Sequence, residues 1–209
     1  MSVLDRLASV RGRRDEALNQ ELARELVETQ DGNAIHELVT NLNHRDRAIQ
    51  SDCIKVLYEI GYLRPELIAP YVTEFLTLLE SRNNRMVWGG MIALSTIAAL
   101  QAPLLFEYRR EIQRAIEKGS VITIDRGIRT LAKVAAQDEV YRRKLFPYLL
   151  AHLQTCRPKD VPARAEDILL AVDGENRDAF IDALNQRASD MRPSQLRRLQ
   201  KVIASAAKR

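Results

Sequence analysis

The chain repeats itself about every 37 residues, and this period constrains its fold more than any other feature. Leu57, Leu94 and Leu131 are each 37 residues apart, and Leu169 follows after a further 38. A ladder of tyrosines runs in step with the leucines: Tyr71, Tyr108 and Tyr148. A fixed period of this length is typical of stacked supersecondary units, each of which buries its apolar face against its neighbours.

Each period predicts a pair of antiparallel helices. In the clearest unit, apolar residues recur at helical spacing over 67–79 and again over 86–99, and Pro70 is expected to bend the first of these helices. Glycine inside a helix costs about 1 kcal/mol relative to alanine, so we expect Gly89 and Gly90 to permit a close helix approach. The other predicted pairs are 34–42 with 49–60, 104–117 with 122–136, 141–155 with 161–172, and 177–188 with 193–207.

The second helix of each pair carries a pattern that resembles the HEAT repeat family, the armadillo-related helical solenoids. An apolar residue opens the helix, small residues follow, and an Ala-Leu-like pair comes next, as in Met86, Gly90 and Ala93-Leu94. The sequence departs from the family pattern at the arginine after the opening residue, where it has Gln50, Val87, Ile124 and Pro162. The resemblance implies an all-α, right-handed α–α superhelix of about five helical pairs, a fold that serves many unrelated functions.

We interpret residues 1–209 as a single solenoid domain with an N-terminal helical cap. The predicted segments are the cap over 1–32, repeats over 33–64, 65–101, 102–138 and 139–175, and a C-terminal repeat with a basic end over 176–209. A cap is expected because the end of a helical stack otherwise exposes apolar surface.

Basic charge is concentrated at the two ends of the chain. The formal net charge is +4, with +3 in residues 1–14 and +6 in residues 192–209, which leaves the body over 15–191 at −5. Such basic termini are either solvated caps or phosphate-binding arms, and the sequence leaves both interpretations open.

Nothing in the sequence indicates a secreted or membrane protein. Its apolar stretches are too short for a transmembrane helix, and its charged start lacks the pattern of a signal peptide. Cys53 and Cys156, the two thiols, fit a reducing compartment better than a disulfide framework. We therefore expect a soluble, cytoplasmic protein with no membrane partner.

The sequence offers no motif for catalysis, a metal or a cofactor. His36, His44 and His152 lie in different units without a cysteine or acid at ligand spacing, so no zinc site is predicted. Neither a glycine-rich phosphate loop nor a Gly-x-Ser-x-Gly elbow is present. We therefore favour a non-enzymatic protein without a cofactor, although these observations do not exclude an enzyme.

One enzymatic relative is similar in size and fold, the HEAT-like alkylpurine DNA glycosylases. That resemblance implies a tryptophan with an aspartate one helical turn away and an arginine in the next unit. Here Trp88 is followed one turn later by Ile92, while Arg126 and Arg129 lie in the next unit. The position at which that family has its catalytic aspartate is therefore occupied by Ile92, which has no carboxylate.

An apolar ladder is predicted on the outward side of the second helices, where it would form a binding site for a protein or peptide. Its members are Ile54, Tyr58, Val87, Trp88, Met91, Ile92, Ile124 and Ile128. Second helices line the concave surface in HEAT solenoids, and an exposed patch containing tryptophan and methionine marks a partner site. The alternative is that these helices are buried all round, because a helix that is apolar on every side is normally buried.

Two functions follow from these features. The first is a non-enzymatic binding module or scaffold that holds a protein or peptide on its concave surface. The second is a nucleic-acid-binding solenoid, supported by 25 arginines against 7 lysines, since guanidinium suits bidentate phosphate contacts. Its candidate phosphate-binding residues are Arg85, Arg126, Arg129 and Arg164. The acidic body and the scarcity of aromatic residues for stacking bases favour the first function.

Overall fold

The computed structural model describes residues 2–13 and 16–209, and these residues form helices and turns without a β-strand. The α-helices of this part of the chain are α1 (Ala17–Thr29), α2 (Gly32–Thr40), α3 (Arg47–Leu63), α4 (Val72–Thr77), α5 (Asn84–Ile97), α6 (Ala102–Glu107), α7 (Arg109–Lys118), α8 (Val121–Ala135), α9 (Glu139–Thr155), α10 (Val161–Ile168), α11 (Arg177–Arg187) and α12 (Pro193–Ala206). Short 3-10 helices lie at Val3–Arg6, Asn41–Asn43, Pro65–Leu67, Ala69–Tyr71, Leu78–Glu80, Pro158–Asp160, Leu169–Ala171 and Ala188–Asp190.

The chain divides into two compact units. The first comprises Met1–Gln101 with Arg110–Gly127, and the second comprises Ala102–Arg109 with Ile128–Arg209. In the first unit, α3 is the central helix and packs against α1, α2 and α5. In the second unit, α9 packs against α10 and α11, and α12 packs against both α10 and α11.

The N-terminal segment is fixed to α3 by a polar network around Asp52. The Asp52 Oδ2 accepts a hydrogen bond from the Ser9 N–H at 2.7 Å, and its Oδ1 accepts one from Asn19 Nδ2 at 2.7 Å. The Oδ1 of Asn19 in turn accepts from the Ala8 N–H at 3.1 Å. Arg14, which was counted in the basic N-terminus, lies outside the described residues.

The first helices of two repeats are broken, although the sequence predicted single helices over 67–79 and 104–117. In the earlier repeat, two 3-10 turns precede the short α4, because Pro70 lacks the N–H that a continuous helix would use. In the later one, α6 ends before Tyr108 and α7 begins at Arg109. The Arg109 guanidinium stabilises this break, since its Nη1 donates to the Phe106 carbonyl oxygen at 2.9 Å. A proline alone does not break a helix in this chain, because α9 continues through Pro147.

Two glycines of α5 lie where neighbouring segments approach this helix closely, as the sequence predicted. A Cβ atom added at Gly89 would lie 2.7 Å from Ile54 Cγ1 on α3. A Cβ atom at Gly90 would lie 2.9 Å from Leu78 Cβ and 3.0 Å from the Phe75 carbonyl oxygen. The prediction that these glycines permit tight packing is therefore confirmed.

The leucine ladder marks the core of the repeats, with one exception. Leu57, Leu94 and Leu131 are fully buried, whereas Leu169 lies half-buried in the 3-10 turn that follows α10. Of the tyrosine ladder, Tyr108 is exposed, since it lies in the break between α6 and α7. The other two tyrosines are half-buried.

Candidate binding surface

Most of the predicted outward apolar ladder lies in the core. The buried members are Ile54, Tyr58, Met91, Ile92 and Ile128. Val87, Trp88 and Ile124 are half-buried. The prediction that all eight residues form a contiguous exposed surface is therefore wrong.

The reason for the burial is the packing of one second helix on the next. Ile54, Met91 and Ile128 are separated by 37 residues each, so they occupy the same position in successive repeats, and all three are fully buried. The Ile54 side chain fills the space above Gly89 of α5, and the Met91 Cε lies 3.4 Å from where a Cβ atom of Gly127 would stand. The side chains of Ile54 and Met91 therefore occupy the gap between neighbouring second helices and do not face outward.

Helices α3 and α5 carry a run of aromatic rings, from buried Tyr58 to Trp88 and Tyr62 at the surface, and arginines lie over two of these rings. The Arg85 guanidinium carbon lies 4.2 Å from the centre of the Trp88 ring, and Trp88 lies beside Tyr58 with ring centres 6.4 Å apart. Tyr58 contacts Tyr62 edge-on at 6.1 Å, and the Arg126 guanidinium carbon is 5.8 Å from the Tyr62 ring centre. We name these five residues the aromatic–arginine surface. All five belong to the first compact unit.

Local sequence explains how these side chains reach one surface. Tyr58 and Tyr62 are four residues apart on α3, and Arg85 and Trp88 are three apart on α5, so each pair shares a helix face. The first turn of α5 is fixed by Asn83, whose Oδ1 accepts a hydrogen bond from the Arg85 N–H at 3.1 Å. Tyr58 is buried, whereas Trp88 is half-buried and Tyr62 is 47% exposed.

An ion-pair network borders the aromatic–arginine surface. Buried Lys55 on α3 pairs with Glu16 at 2.6 Å and with Glu59 at 2.8 Å, and its Nζ lies 5.1 Å from the Tyr58 ring centre. The other carboxylate oxygen of Glu16 lies 3.6 Å from Arg85 Nη2. Glu16 therefore links the start of α1 to both α3 and α5.

The pKa values of this network follow from its geometry. Burial acts to lower the pKa of Lys55, but the hydrogen bonds to Glu16 and Glu59 outweigh it and raise the pKa above its usual value. The hydrogen bond from Lys55 lowers the pKa of Glu16, and the charge of Arg85 adds to the effect. The pKa of Tyr58 is raised by burial. Lys55 and Glu16 are therefore both charged at neutral pH.

The four arginines predicted to contact phosphate do not form a line of exposed cations. Arg164 is buried, with its Nη1 against His152 Nε2, which corrects the prediction for this residue. Arg129 pairs with Asp167 at 3.2 Å. Arg85 and Arg126 lie over aromatic rings of the aromatic–arginine surface. Arg164 is therefore shielded from an extended polyanion, and the other three guanidinium groups already contact an acid or an aromatic ring of the chain.

The three histidines lie in separate environments. His36 lies 6.1 Å from the Tyr71 ring, and His44 Nδ1 accepts a hydrogen bond from the Asp46 N–H at 3.0 Å. His152 on α9 faces Arg164, and burial together with that positive charge lowers its pKa to about 4. A guanidinium group can only donate, so His152 Nε2 acts as the acceptor and the ring is neutral.

Sequence reasoning missed Tyr62 of the candidate site and the whole bordering network of Lys55, Glu16 and Glu59. Tyr62 lies one turn beyond Tyr58 on α3, so the helical spacing contained a signal for it. Glu16 lies 39 residues before Lys55, and no local pattern connects it to the repeats. Only the folded chain brings this carboxylate to α3 and α5.

No helix within 2–13 and 16–209 is both long and apolar enough to cross a membrane.

Several solved structures of designed proteins share this fold. A designed armadillo repeat protein in complex with the peptide (KR)4 is 17% identical, with a TM-score of 0.70 over 90% of this chain and 86% of that chain. A computationally designed armadillo repeat protein for modular peptide recognition is 16% identical, with a TM-score of 0.67 over 97% of both chains. A further designed armadillo repeat protein is 15% identical, with a TM-score of 0.65 over 92% and 95% of the two chains.

These similarities define the class of fold. The chain is an armadillo/HEAT-like helical repeat, and the predicted all-α solenoid fold is confirmed. No protein-family model matches the sequence, and no curated protein matches it.

Proposed function

We propose that this chain is a non-enzymatic helical-repeat module that binds a protein or peptide segment on the second helices of its repeats, at the aromatic–arginine surface. The observation that carries the proposal is Trp88, which is the only tryptophan of the chain and lies half-buried at the surface between Arg85 and Tyr58. Tryptophan, tyrosine and arginine are the residues most enriched at the energetic centres of protein interfaces.

The fold supports this proposal. The similar designed armadillo proteins include one in complex with a peptide and one made for peptide recognition. Second helices at regular intervals offer an extended segment a row of rigid side chains, which reduces the entropy lost on binding. Apolar burial contributes about 25 cal/mol per Å², so one tryptophan with one tyrosine supplies several kcal/mol before that loss is counted.

Nucleic acid is disfavoured as the partner because the arginines predicted to contact phosphate are buried or already engaged within the chain. Arg164 is buried, and Arg129 is already paired with Asp167. Binding to a duplex depends on releasing counterions through several free phosphate contacts, and it therefore weakens steeply with salt.

The proposal is tested by selecting ligands from a displayed library of random short peptides. We expect the library to yield peptides that bind the wild-type chain and are lost with Trp88→Ala, because the tryptophan is the anchor of the site. Tyr108→Ala is the matched control, since Tyr108 is an exposed aromatic residue outside the aromatic–arginine surface. Peptides that bind both variants equally well, or a selection without any specific peptide, would contradict the proposal.

The selection is complemented by titration with a mixed-sequence DNA duplex at two salt concentrations. We expect weak binding that Trp88→Ala does not change. Tight duplex binding that falls steeply with salt would favour the nucleic-acid function instead.

A further inference from the structure

The aromatic–arginine surface carries its own cations on the faces of its rings. Arg85 lies over Trp88, Arg126 lies over Tyr62, and Lys55 lies near the Tyr58 ring. The face of an aromatic ring attracts cations, so these positions are the ones that a basic peptide would use. A basic partner would have to displace the guanidinium groups or approach beside them, and like charges in close contact are costly.

The carboxylate of Glu16 shows which chemistry this surface accepts. One of its oxygens lies 2.6 Å from Lys55 Nζ, and the other lies 3.6 Å from Arg85 Nη2. Glu16 is contributed by the start of α1, far from α3 and α5 in sequence, and it spans the two cations as an external carboxylate would. It marks a position between the second helices where an acidic side chain is stabilised by two cations.

The position of Glu16 also allows a carboxylate of a partner to replace it. Its side chain is 53% exposed, so water can solvate the carboxylate when it leaves Lys55 and Arg85. Lys55 keeps its second partner, Glu59, when Glu16 leaves, so no buried charge is left unpaired. Opening this position therefore leaves neither charge of the Lys55–Glu16 pair without a partner or water.

We infer that the partner segment is acidic, with a carboxylate side chain that replaces Glu16 between Lys55 and Arg85 and a neighbouring apolar side chain that packs on Trp88. This inference rests on the proposed function and adds the chemical class of the partner. When Glu16 is displaced, the two cations that held it, Lys55 and Arg85, are left with the single carboxylate of Glu59. The balance of charge therefore favours an anionic side chain.

The experiment uses Trp88 as its own reporter, because a single tryptophan makes the fluorescence signal specific to this site. Three synthetic peptides are titrated, built from four Leu-Glu, four Leu-Gln or four Leu-Lys pairs. We expect the Leu-Glu peptide to bind about tenfold more tightly than the Leu-Gln peptide, and the Leu-Lys peptide to bind most weakly. Arg85→Gln should remove most of the preference for Glu over Gln.

A second variant tests the exchange of carboxylates. Glu16→Gln should tighten binding of the Leu-Glu peptide several-fold, because it removes the internal competitor while keeping the size of the side chain. Glu21→Gln is the control, since it makes the same charge change at an exposed position of α1, the helix that follows Glu16.

The outcomes separate this inference from the function on which it rests. A Leu-Lys peptide that binds as tightly as the Leu-Glu peptide, in a manner that depends on Trp88, overturns the acidic partner and leaves peptide binding intact. Equal effects of Glu16→Gln and Glu21→Gln overturn the exchange at Glu16. If no peptide of any charge changes the Trp88 signal, while a DNA duplex does, both the inference and the proposed function are wrong.

Discussion

The Arg85 guanidinium carbon lies 4.2 Å from the centre of the Trp88 ring, one helical turn away on α5. This contact has two consequences. It holds the indole at the surface in a defined orientation, and it places a positive charge over the most favourable ring face of the candidate site. The side chains that would otherwise widen an apolar surface around it, Met91 and Ile92, are buried.

The Arg85–Trp88 contact should stabilise the fold by a modest amount. We expect Arg85→Gln to lower the free energy of unfolding by about 0.5 to 1 kcal/mol, the range for a cation–π pair at a partly exposed site. A double-mutant cycle with Trp88→Leu, followed by urea denaturation, measures the coupling between the two side chains. Arg82→Gln, at an exposed position just before α5, serves as the control. A coupling energy near zero would show that the ring and the guanidinium group do not interact.

Gly90 should not tolerate a side chain. Even the Cβ atom of alanine would lie 3.0 Å from the Phe75 carbonyl oxygen, which belongs to the backbone and cannot rotate away. We expect Gly90→Ala to lower the free energy of unfolding by about 1 to 3 kcal/mol and Gly90→Leu to lower it further. Gly32→Ala is the control, because this glycine also lies in a helix but has no atom near its Cβ position. Equal stability of the Gly90 and Gly32 variants would contradict the packing described for α5.

Arg187 should act as the cap for the end of α9. Its guanidinium group donates to the carbonyl oxygens of Leu153 at 2.8 Å, Gln154 at 2.7 Å and Cys156 at 2.8 Å. We expect Arg187→Ala to cost about 2 to 4 kcal/mol, since the carbonyls at a helix end would lose charged donors. Arg187→Lys should recover only part of this loss, because an ammonium group lacks the planar fork. Thermal denaturation beside the exposed Arg197→Ala variant measures the effect, and equal melting temperatures would rule out the cap.

The buried His152 should make stability depend on pH. Burial and the charge of Arg164 lower its pKa to about 4 in the folded chain, whereas a histidine in an unfolded chain has a pKa of about 6.5. Between these values the unfolded chain binds a proton that the folded chain does not, so the free energy of unfolding falls as the pH is lowered.

His152→Gln isolates this contribution, because glutamine retains an acceptor for Arg164 but does not titrate. Relative to the wild type, we expect the variant to lose less stability between pH 6.5 and pH 4, by at most about 1.4 kcal/mol per pH unit. Chemical denaturation across this range measures the difference. Parallel pH profiles for the two proteins would show that His152 takes up its proton equally well in both states.

The repeat architecture could be predicted from sequence because it depends on a periodic pattern. Leu57, Leu94 and Leu131 specify the register of the second helices, and their burial follows directly from it. The same 37-residue period also indicated that part of the predicted outward ladder is buried. Ile54, Met91 and Ile128 recur at 37 residues just as the leucines do, and residues at equivalent positions of a stack are expected to share one environment.

The features that were not predicted depend on individual side-chain contacts, which the 37-residue period does not encode. The break between α6 and α7 is stabilised by the Arg109 side chain on the Phe106 carbonyl, a contact that helical spacing does not encode. Glu16 reaches Lys55 and Arg85 only because α1 packs on α3. The burial of Arg164 is equally non-periodic, since it depends on His152 in the preceding helix.

The central claim is that a peptide segment binds at the aromatic–arginine surface, and the indole N–H resonance of Trp88 tests it most directly. The chain has a single tryptophan, so its NMR spectrum contains a single side-chain indole signal that needs no assignment. Titration with the peptide of four Leu-Glu pairs should shift this signal in a saturable manner, and Arg85→Gln should weaken the binding that the shift reports. An indole resonance that stays unchanged while the peptide binds elsewhere on the protein would contradict the account.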